Sequence, residues 1–247
     1  MKPSMTRRRA RRAAAGVLPL VAALALLGAT PARRTAKPPA RRATAARRPA
    51  ATLLGRNLIV NGGAESENGG WATGWEPAKT VQSEGYGHTS GEWDWGVTGA
   101  PGGEVRYFRL EIPDGAESLA VAQWVSVAAE SAVIDSGRAR FTLSGWFGGV
   151  TDGPGTSALL AAFRDASGKQ LASALTPPAV PAELPRPGVG AASLVARETS
   201  GAVPAGTRQI GVTLVGRHWE FAACPNCSAL AFADRLALEV RRASSGP

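Results

Sequence analysis

The chain has 247 residues, of which 44% are hydrophobic, and a net charge of +9 from 28 Lys and Arg against 19 Asp and Glu. Residues 1–56 hold 14 of the basic side chains and no acidic ones, so the remainder, with 14 basic and 19 acidic side chains, carries −5. This mildly acidic remainder argues against a nucleic-acid-binding domain, because the basic pI belongs to the N-terminal segment alone. Two cysteines and two histidines leave few candidates for a site that needs several of either.

The N terminus has the three parts of a secretory signal peptide. A basic stretch at 1–12 precedes an apolar run at 13–28, and small residues follow as far as Ala32. We expect cleavage after Ala32, so that residues 1–32 are removed and the protein is secreted without a transmembrane span. The alternative is a membrane anchor, although the run is short for a span and contains Pro19.

Residues 33–53 are predicted to be a disordered linker, because arginine, alanine, proline and threonine dominate the segment and cannot form a core. Arginine pairs stand at 33–34, 41–42 and 47–48. Their charge suggests attachment to an anionic cell wall or to phospholipid headgroups, which would hold the secreted protein at the cell surface. The alternative is a solvated linker, since no aromatic or amphipathic pattern accompanies the arginines.

Residues 54–242 are long enough for one domain with a proper core, and residues 243–247 form a short tail. Strand-like runs alternate with turn residues such as those at 113–115, 135–137 and 152–155. The predicted strands are 105–112, 118–127, 139–149, 158–164, 170–174, 192–198, 208–215 and 229–240. This spacing, with no long helix, is typical of an all-β sandwich. Five prolines predict an irregular surface loop at 176–190.

The run 141–149 has the clearest strand pattern in the chain. Alternation places Phe141, Leu143 and Phe147 on one face, which we expect to be buried, and Trp146 on the other. A large ring on the second face is either covered by another segment or available to bind a ligand. The glycines at 145, 148 and 149 predict close approach of another backbone or a bend in the strand.

Several short motifs resemble, in order and spacing, those of galactose-binding-like jelly rolls, a superfamily that includes many bacterial carbohydrate-binding modules. The segment Asn57–Glu65 has the pattern N-L-x-x-N-G-x-x-E and is followed by two Gly-Trp pairs, and later matches lie at 134–149, 162–168, 200–214 and 233–238. The resemblance covers almost all of 57–240. It implies a jelly-roll β-sandwich of two antiparallel sheets that acts by binding. It does not specify the ligand, since such jelly rolls bind glycans, proteins and lipid headgroups.

The same resemblance implies a structural calcium ion where the first turn meets the last strand. Glu65 and Asp234 match the motif positions, and backbone carbonyls, water and the Asn61 side chain would complete the coordination shell. Members of the superfamily often have a second Asp or an Asn where this chain has Arg235. An ion pair between Arg235 and Glu65 is therefore the alternative to the metal. We predict no other cofactor.

Cys224 and Cys227 are separated by two residues. In a secreted chain this spacing predicts a small disulfide that pins a loop. A zinc site would need two more ligands, and His218 is the only histidine nearby. A redox motif is a third interpretation. The cysteines of such motifs lie at the start of a helix that follows a strand, whereas the sequence around Cys224 and Cys227 predicts loop and strand.

Tryptophan is concentrated early in the domain, with four of the seven between 71 and 95. In an extended segment the alternation at 92–95 would put two rings on one side and two carboxylates on the other. Aromatic rings stack on the apolar faces of sugars, and carboxylates accept hydrogen bonds from sugar hydroxyls. The predicted ligand-binding residues are Trp93, Asp94, Trp95, Trp146, Arg217, Trp219 and Glu220. For Trp71 and Trp75 we expect core positions instead.

These features predict a secreted, non-catalytic module that binds a cell-envelope or environmental glycan. The rival is a structural or adhesive surface protein that binds another protein. Exposed tryptophans with polar groups between them would favour a sugar, and a broad apolar patch rimmed by charge would favour a protein. An enzyme is the third possibility: no serine lies in a nucleophile-elbow motif, and a glycosidase would need two carboxylates at a suitable separation.

Overall fold

In the computed structural model the described residues are 52–86, 97, 105–150, 154–180, 183–184, 192–219 and 229–244. Within these ranges the chain forms strands, one 3-10 turn and one short helix. The elements are β1 (Glu67–Asn68), β2 (Trp71–Ala72), β3 (Gln82–Gly85), β4 (Arg106–Ile112), β5 (Ser118–Ser126), the 3-10 turn (Ala128–Glu130), α1 (Ser131–Asp135), β6 (Ala139–Val150), β7 (Gly155–Arg164), β8 (Gln170–Leu175), β9 (Ala192–Ala202), β10 (Gln209–His218) and β11 (Ala229–Arg242).

The eight predicted strands are confirmed as β4 to β11. They form where the sequence alternates between apolar side chains and small or polar ones, as in β10, where Ile210, Val212 and Leu214 are buried. Strand β6 shows the predicted two faces, with Phe141, Leu143 and Phe147 in the core. The short strands β1 to β3 were not predicted.

Two antiparallel sheets face each other. One has the order β1-β2-β3-β4-β11-β6-β9, and the other has the order β5-β10-β7-β8. The pairing is nested, because β7 pairs with β8, β6 with β9, β5 with β10 and β4 with β11. This arrangement is a jelly roll, and the predicted fold class is confirmed.

The core lies between the two sheets and is rich in aromatic rings. Trp75 and Phe108 meet edge to face with ring centroids 5.7 Å apart, and Phe141 lies 4.9 Å from Phe163 across the sandwich. All four side chains belong to one continuous apolar cluster. Packed rings of this kind contribute both buried apolar area and favourable ring geometry.

The N-terminal part of the domain closes the sandwich by running beside β11. The N–H groups of Gly55 and Leu58 donate to the carbonyls of Val240 and Leu238. At the first turn a Cβ on Gly62 would lie 2.2 Å from the Leu236 carbonyl oxygen. The first turn therefore rests directly on the last strand, at the irregularity where the β6–β11 register shifts between residues 234 and 237.

The glycines of β6 lie where other parts of the chain come close, as predicted. A Cβ on Gly148 would lie 1.8 Å from the Ser193 carbonyl oxygen, and one on Gly149 would lie 2.3 Å from the Gly155 carbonyl oxygen. At Gly145 the close atoms belong to side chains. Across the part of the chain that is described, no helix has the length and apolar character needed to cross a membrane.

Candidate functional site

The candidate site lies on the face of the seven-stranded sheet that points away from the core, called the outer face from here on. The strand register places outward-pointing side chains in rows across the sheet. One row contains Trp71, Gln82, Arg109 and Phe232. In the next row Glu84 is the cross-strand partner of Tyr107. Further along this row, Trp146 lies between its two cross-strand partners, Asp234 on β11 and Ala196 on β9.

A second apolar cluster, separate from the main core, is built on this outer face. Tyr107, Phe232 and Leu194 are almost fully buried in it, and Val97 and Trp146 pack against them. The ring of Tyr107 meets Phe232 edge to face at 5.5 Å. Rings outside the core are buried in this way only if part of the outer face is covered, and Val97 contributes to that cover.

A buried carboxylate holds the middle of the outer face together. The side chain of Asp234 is fully buried, and its Oδ2 accepts a hydrogen bond of 2.7 Å from the hydroxyl of Tyr86. Its Oδ1 accepts from the backbone N–H of Arg235, which has a φ of 50° at the bulge in β11. The ring of Tyr86 lies 5.0 Å from that of Tyr107. Burial, together with the charge of Glu84, raises the pKa of Tyr107, and the charge of Arg109 opposes this shift.

Three pockets open on or beside the outer face. The first, of about 620 Å³, is lined by residues that include Trp71, Gln82, Glu84, Tyr86 and Arg106. The second, of about 260 Å³, shares Trp71 and Gln82 and adds Arg109 and Glu111. The third, of about 200 Å³, is lined by residues that include Trp146, Arg197, Glu198 and Arg235. Each pocket thus combines an aromatic ring, a carboxylate and a guanidinium group.

Hydrogen bonds fix the two guanidinium groups on β4. Arg106 donates through Nε to Ser83 Oγ at 2.6 Å and through Nη2 to the Ser83 carbonyl at 2.9 Å. Arg109 donates to Gln82 Oε1 at 2.7 Å and pairs with Glu111 at 3.2 Å. Folding has already ordered these two side chains. A ligand that accepts hydrogen bonds from them would therefore cause a smaller loss of side-chain conformational entropy on binding.

The three predicted ligand-binding residues that the structure describes do not lie on one surface. Trp146 lies on the outer face, but Arg217 belongs to the four-stranded sheet, where it pairs with Glu117, and Trp219 follows the end of the same strand. The alternation of β10 turns Arg217 away from the core on the opposite side of the sandwich from Trp146. The structure therefore separates Arg217 and Trp219 from Trp146, because residues of suitable chemistry need not belong to the same sheet, and their roles in ligand binding stay predictions.

Trp71 also differs from the expectation, whereas Trp75 is buried in the core as predicted. Trp71 pairs with Gln82, whose side chain points outward, so its ring lies on the outer face and lines two of the pockets. Trp93, Asp94, Trp95, Glu220, Cys224 and Cys227 lie outside the described residues. Their predicted roles in ligand binding and in the disulfide stay predictions.

The three residues predicted to bind calcium are each engaged by hydrogen-bond donors of the protein. Glu65 Oε1 accepts from the N–H groups of Val105 and Arg106 at 2.9 and 3.1 Å. The amide of Asn61 exchanges hydrogen bonds within the turn, and both oxygens of Asp234 accept hydrogen bonds. No group of three or more His, Cys, Asp and Glu among the described residues is arranged to hold a metal. Calcium here stays a prediction.

The residues that sequence reasoning missed lie on β2, β3 and β4. Gln82 and Glu84 alternate with the buried Ser83, and Tyr107 and Arg109 alternate with the buried Phe108 and Leu110. The period of two in β4 was visible in the sequence and could have placed Tyr107 and Arg109 on the outer face. Strand β3 has only four residues, too few for its alternation to stand out.

Comparisons with known proteins give similarity at the level of solved structures. No protein-family model and no curated protein matches the sequence. The chain is similar to the enzymatically active domain of a bacteriophage tailspike protein, with a TM-score of 0.44 and 14% identity, over 74% of this chain and 21% of that one. It is similar to a family 16 carbohydrate-binding module (0.43, 14%, covering 74% and 99%) and to the CBM22-1 xylan-binding domain of Paenibacillus barcinonensis Xyn10C (0.39, 12%, covering 78% and 100%).

Proposed function

We propose that the protein binds a carbohydrate on the outer face of its seven-stranded sheet and does not act on it chemically. The observation that supports this is the repeated lining of the three pockets, in which each ring is accompanied by a carboxylate and a guanidinium group. A sugar ring offers an apolar face for stacking and hydroxyl groups that both donate and accept hydrogen bonds. In each pocket a ring can stack on the apolar face, a carboxylate can accept from the hydroxyls, and a guanidinium group can donate to them.

The pockets lie in two parts of the outer face, on either side of the covered cluster that contains Tyr107 and Phe232. Trp71 on β2 and Trp146 on β6 are separated by four inter-strand steps, which correspond to roughly 19 Å at the usual spacing of neighbouring strands. Polar side chains such as Gln82 and Glu84 lie between them. Both rings are half-buried in pockets that also contain polar side chains, which suits a sugar better than the broad apolar patch expected for a protein partner. The N-terminal sequence adds the proposal that this binding takes place outside the cell.

The test is affinity electrophoresis of the full chain through gels that contain single soluble polysaccharides, such as xylan, mixed-linkage glucan and mannan. We expect Trp71→Ala and Trp146→Ala each to weaken retention by about fivefold or more, which corresponds to about 1 kcal/mol for a lost stacking partner. The matched control is Trp124→Ala. Trp124 is 56% exposed and lies on the four-stranded sheet, over Gly211 and 4.7 Å from the guanidinium carbon of Arg164.

Retention that survives in the control and falls in the two outer-face variants would support the proposal. Equal losses in all three variants, or no retention of the wild-type chain in any gel, would refute the proposed site. The non-catalytic part is checked separately by measuring new reducing ends after prolonged incubation with each retained polysaccharide. A steady release of reducing ends would show that the protein is an enzyme.

A further inference from the structure

Five arginines gather at one end of the sandwich. They are Arg56, Arg138, Arg140, Arg241 and Arg242, called the arginine patch from here on. Arg140 and Arg241 are direct cross-strand partners on β6 and β11. The carbonyl of Arg138 accepts from the N–H of Ala243, and Arg56 follows Gly55, whose N–H donates to Val240.

The positive charge of the patch is largely unbalanced. Among the described residues Arg56, Arg140 and Arg242 make no side-chain hydrogen bond or ion pair, and Arg138 donates only to the hydroxyl of Ser136. Glu239 forms an ion pair with Arg241 and with no other arginine of the patch. The nearby carboxylate of Asp135 is already bound by both Nη atoms of Arg208 and by the N–H of Gly206. Five arginines against Glu239 leave four positive charges.

Like charges directly opposite each other on neighbouring strands destabilise a sheet, and Arg140 faces Arg241 in this way. The next pairs along the same two strands are Thr142 with Glu239 and Ser144 with Ala237, which carry no such repulsion. An external anion would neutralise Arg140, which has no ion-pair partner among the described residues, and would relieve the repulsion that remains beside the Arg241–Glu239 pair.

The chemistry of the patch points to phosphate. All five side chains are arginines, whose planar guanidinium group donates two parallel hydrogen bonds to a phosphate and stays charged at every physiological pH. Several such groups at one end of the domain suit a polymer that repeats its anionic group. We propose that the arginine patch binds the phosphate groups of an extracellular polymer of alcohol phosphates.

Two other phosphate carriers fit the surroundings less well. A membrane surface is usually met by exposed large apolar side chains, whereas the outer-face neighbours of Arg140 and Arg241 are Thr142, Ser200 and Ala202. A single-stranded nucleic acid is usually met by aromatic rings that stack on its bases, and the patch contains none.

The first test localises the anion on the full, ¹⁵N-labelled chain by titrating inorganic tripolyphosphate and following the backbone amide resonances. We expect shifts concentrated at residues 138–142 and 239–243. In the double variant Arg140→Gln/Arg241→Gln these shifts should be lost, while the spectrum shows that the fold is retained. The control Lys169→Gln/Arg217→Gln removes the same charge from exposed positions elsewhere and should keep them.

The second test identifies the polymer by comparing poly(glycerol phosphate) with single-stranded DNA of equal charge over a range of salt concentrations. We expect tighter binding of poly(glycerol phosphate). The patch variant should bind it at least tenfold more weakly than the control variant, and its salt dependence should be shallower by about one for each phosphate that it no longer neutralises. Shifts that avoid the patch, equal losses in the two variants, or tighter binding of DNA would each overturn the proposal. Because neither tripolyphosphate nor poly(glycerol phosphate) contains a sugar ring, the binding of these two probes is independent of the carbohydrate site.

Discussion

Tyr107 shows how a single side chain can tie the outer face to the stability of the fold. Its ring is buried between those of Tyr86 and Phe232, outside the main core. Burial and the negative charge of Glu84 raise the pKa of its hydroxyl. A tyrosine in the unfolded chain loses its proton near pH 10. Above that pH the unfolded state therefore releases a proton that the folded state keeps, and stability falls as the pH rises.

We expect the free energy of unfolding to decline between pH 9 and pH 11 by up to about 1.4 kcal/mol per pH unit from this residue. Urea unfolding at several pH values measures the decline. Tyr107→Phe removes the titrating group but keeps the ring, so the decline should be smaller in this variant than in the wild type. Identical pH dependence in the two proteins would show that Tyr107 titrates normally.

At the scale of elements, the sequence predicts long strands well and short ones poorly. Strands β4 to β11 have six or more residues, so their alternation repeats often enough to be recognised. β1 to β3 have two to four residues and form because they pair with one another and with β4. These are the strands that carry Trp71, Gln82 and Glu84. These three side chains of the candidate site were therefore missed, because their strands are too short to show a pattern.

The bulge in β11 was also beyond sequence reasoning, because it depends on contacts across the chain. Arg235 has a positive φ, and the register with β6 shifts beside it. The alternation continues on either side of the bulge, with Ala233 inward before it and Leu236 inward after it. What fixes the irregularity is the first turn, whose Gly62 carbonyl accepts from the N–H of Leu236. A local pattern contains no information about that partner.

The start of the folded domain depends on one side chain of the 3-10 turn. Glu130 is almost buried, and its Oε1 accepts hydrogen bonds from the hydroxyl of Thr52 at 3.0 Å and from the N–H of Leu53 at 2.8 Å. We expect Glu130→Ala to raise the hydrogen-exchange rate of the Leu53 amide at least tenfold, since its acceptor is lost. Exchange of the Leu58 amide, which donates to Leu238, should be unchanged and serves as the internal control.

The matched variant is Glu130→Gln, whose side-chain oxygen keeps an acceptor for the same two donors. It should exchange at close to the wild-type rate. If Glu130→Ala leaves the Leu53 amide protected, the attachment of the N-terminal segment rests on the packing of Leu53 and Leu54 against the core and not on the carboxylate.

At the scale of the whole molecule, the last strand determines whether the jelly roll closes. β11 lies between β4 and β6 in the seven-stranded sheet, and residues 55–62 run along its second half. It also joins the parts of the outer face. Asp234 on β11 accepts a hydrogen bond from the hydroxyl of Tyr86 and is the cross-strand partner of Trp146. Every contact between these parts joins residues far apart in sequence, which makes closure a late and cooperative event.

We expect deletion of residues 229–247 to abolish the cooperative unfolding transition. Without β11 the strands β4 and β6 lose their shared neighbour, and the apolar side chains of Phe108 and Leu143 are left without their partners in the sheet. Thermal unfolding followed by near-ultraviolet circular dichroism measures this. The control removes only residues 245–247, which follow the strand, and should unfold at the wild-type temperature. A cooperative transition in the larger deletion would mean that β1 to β10 form a stable core alone, and that the last strand serves the outer face without being required for the sandwich.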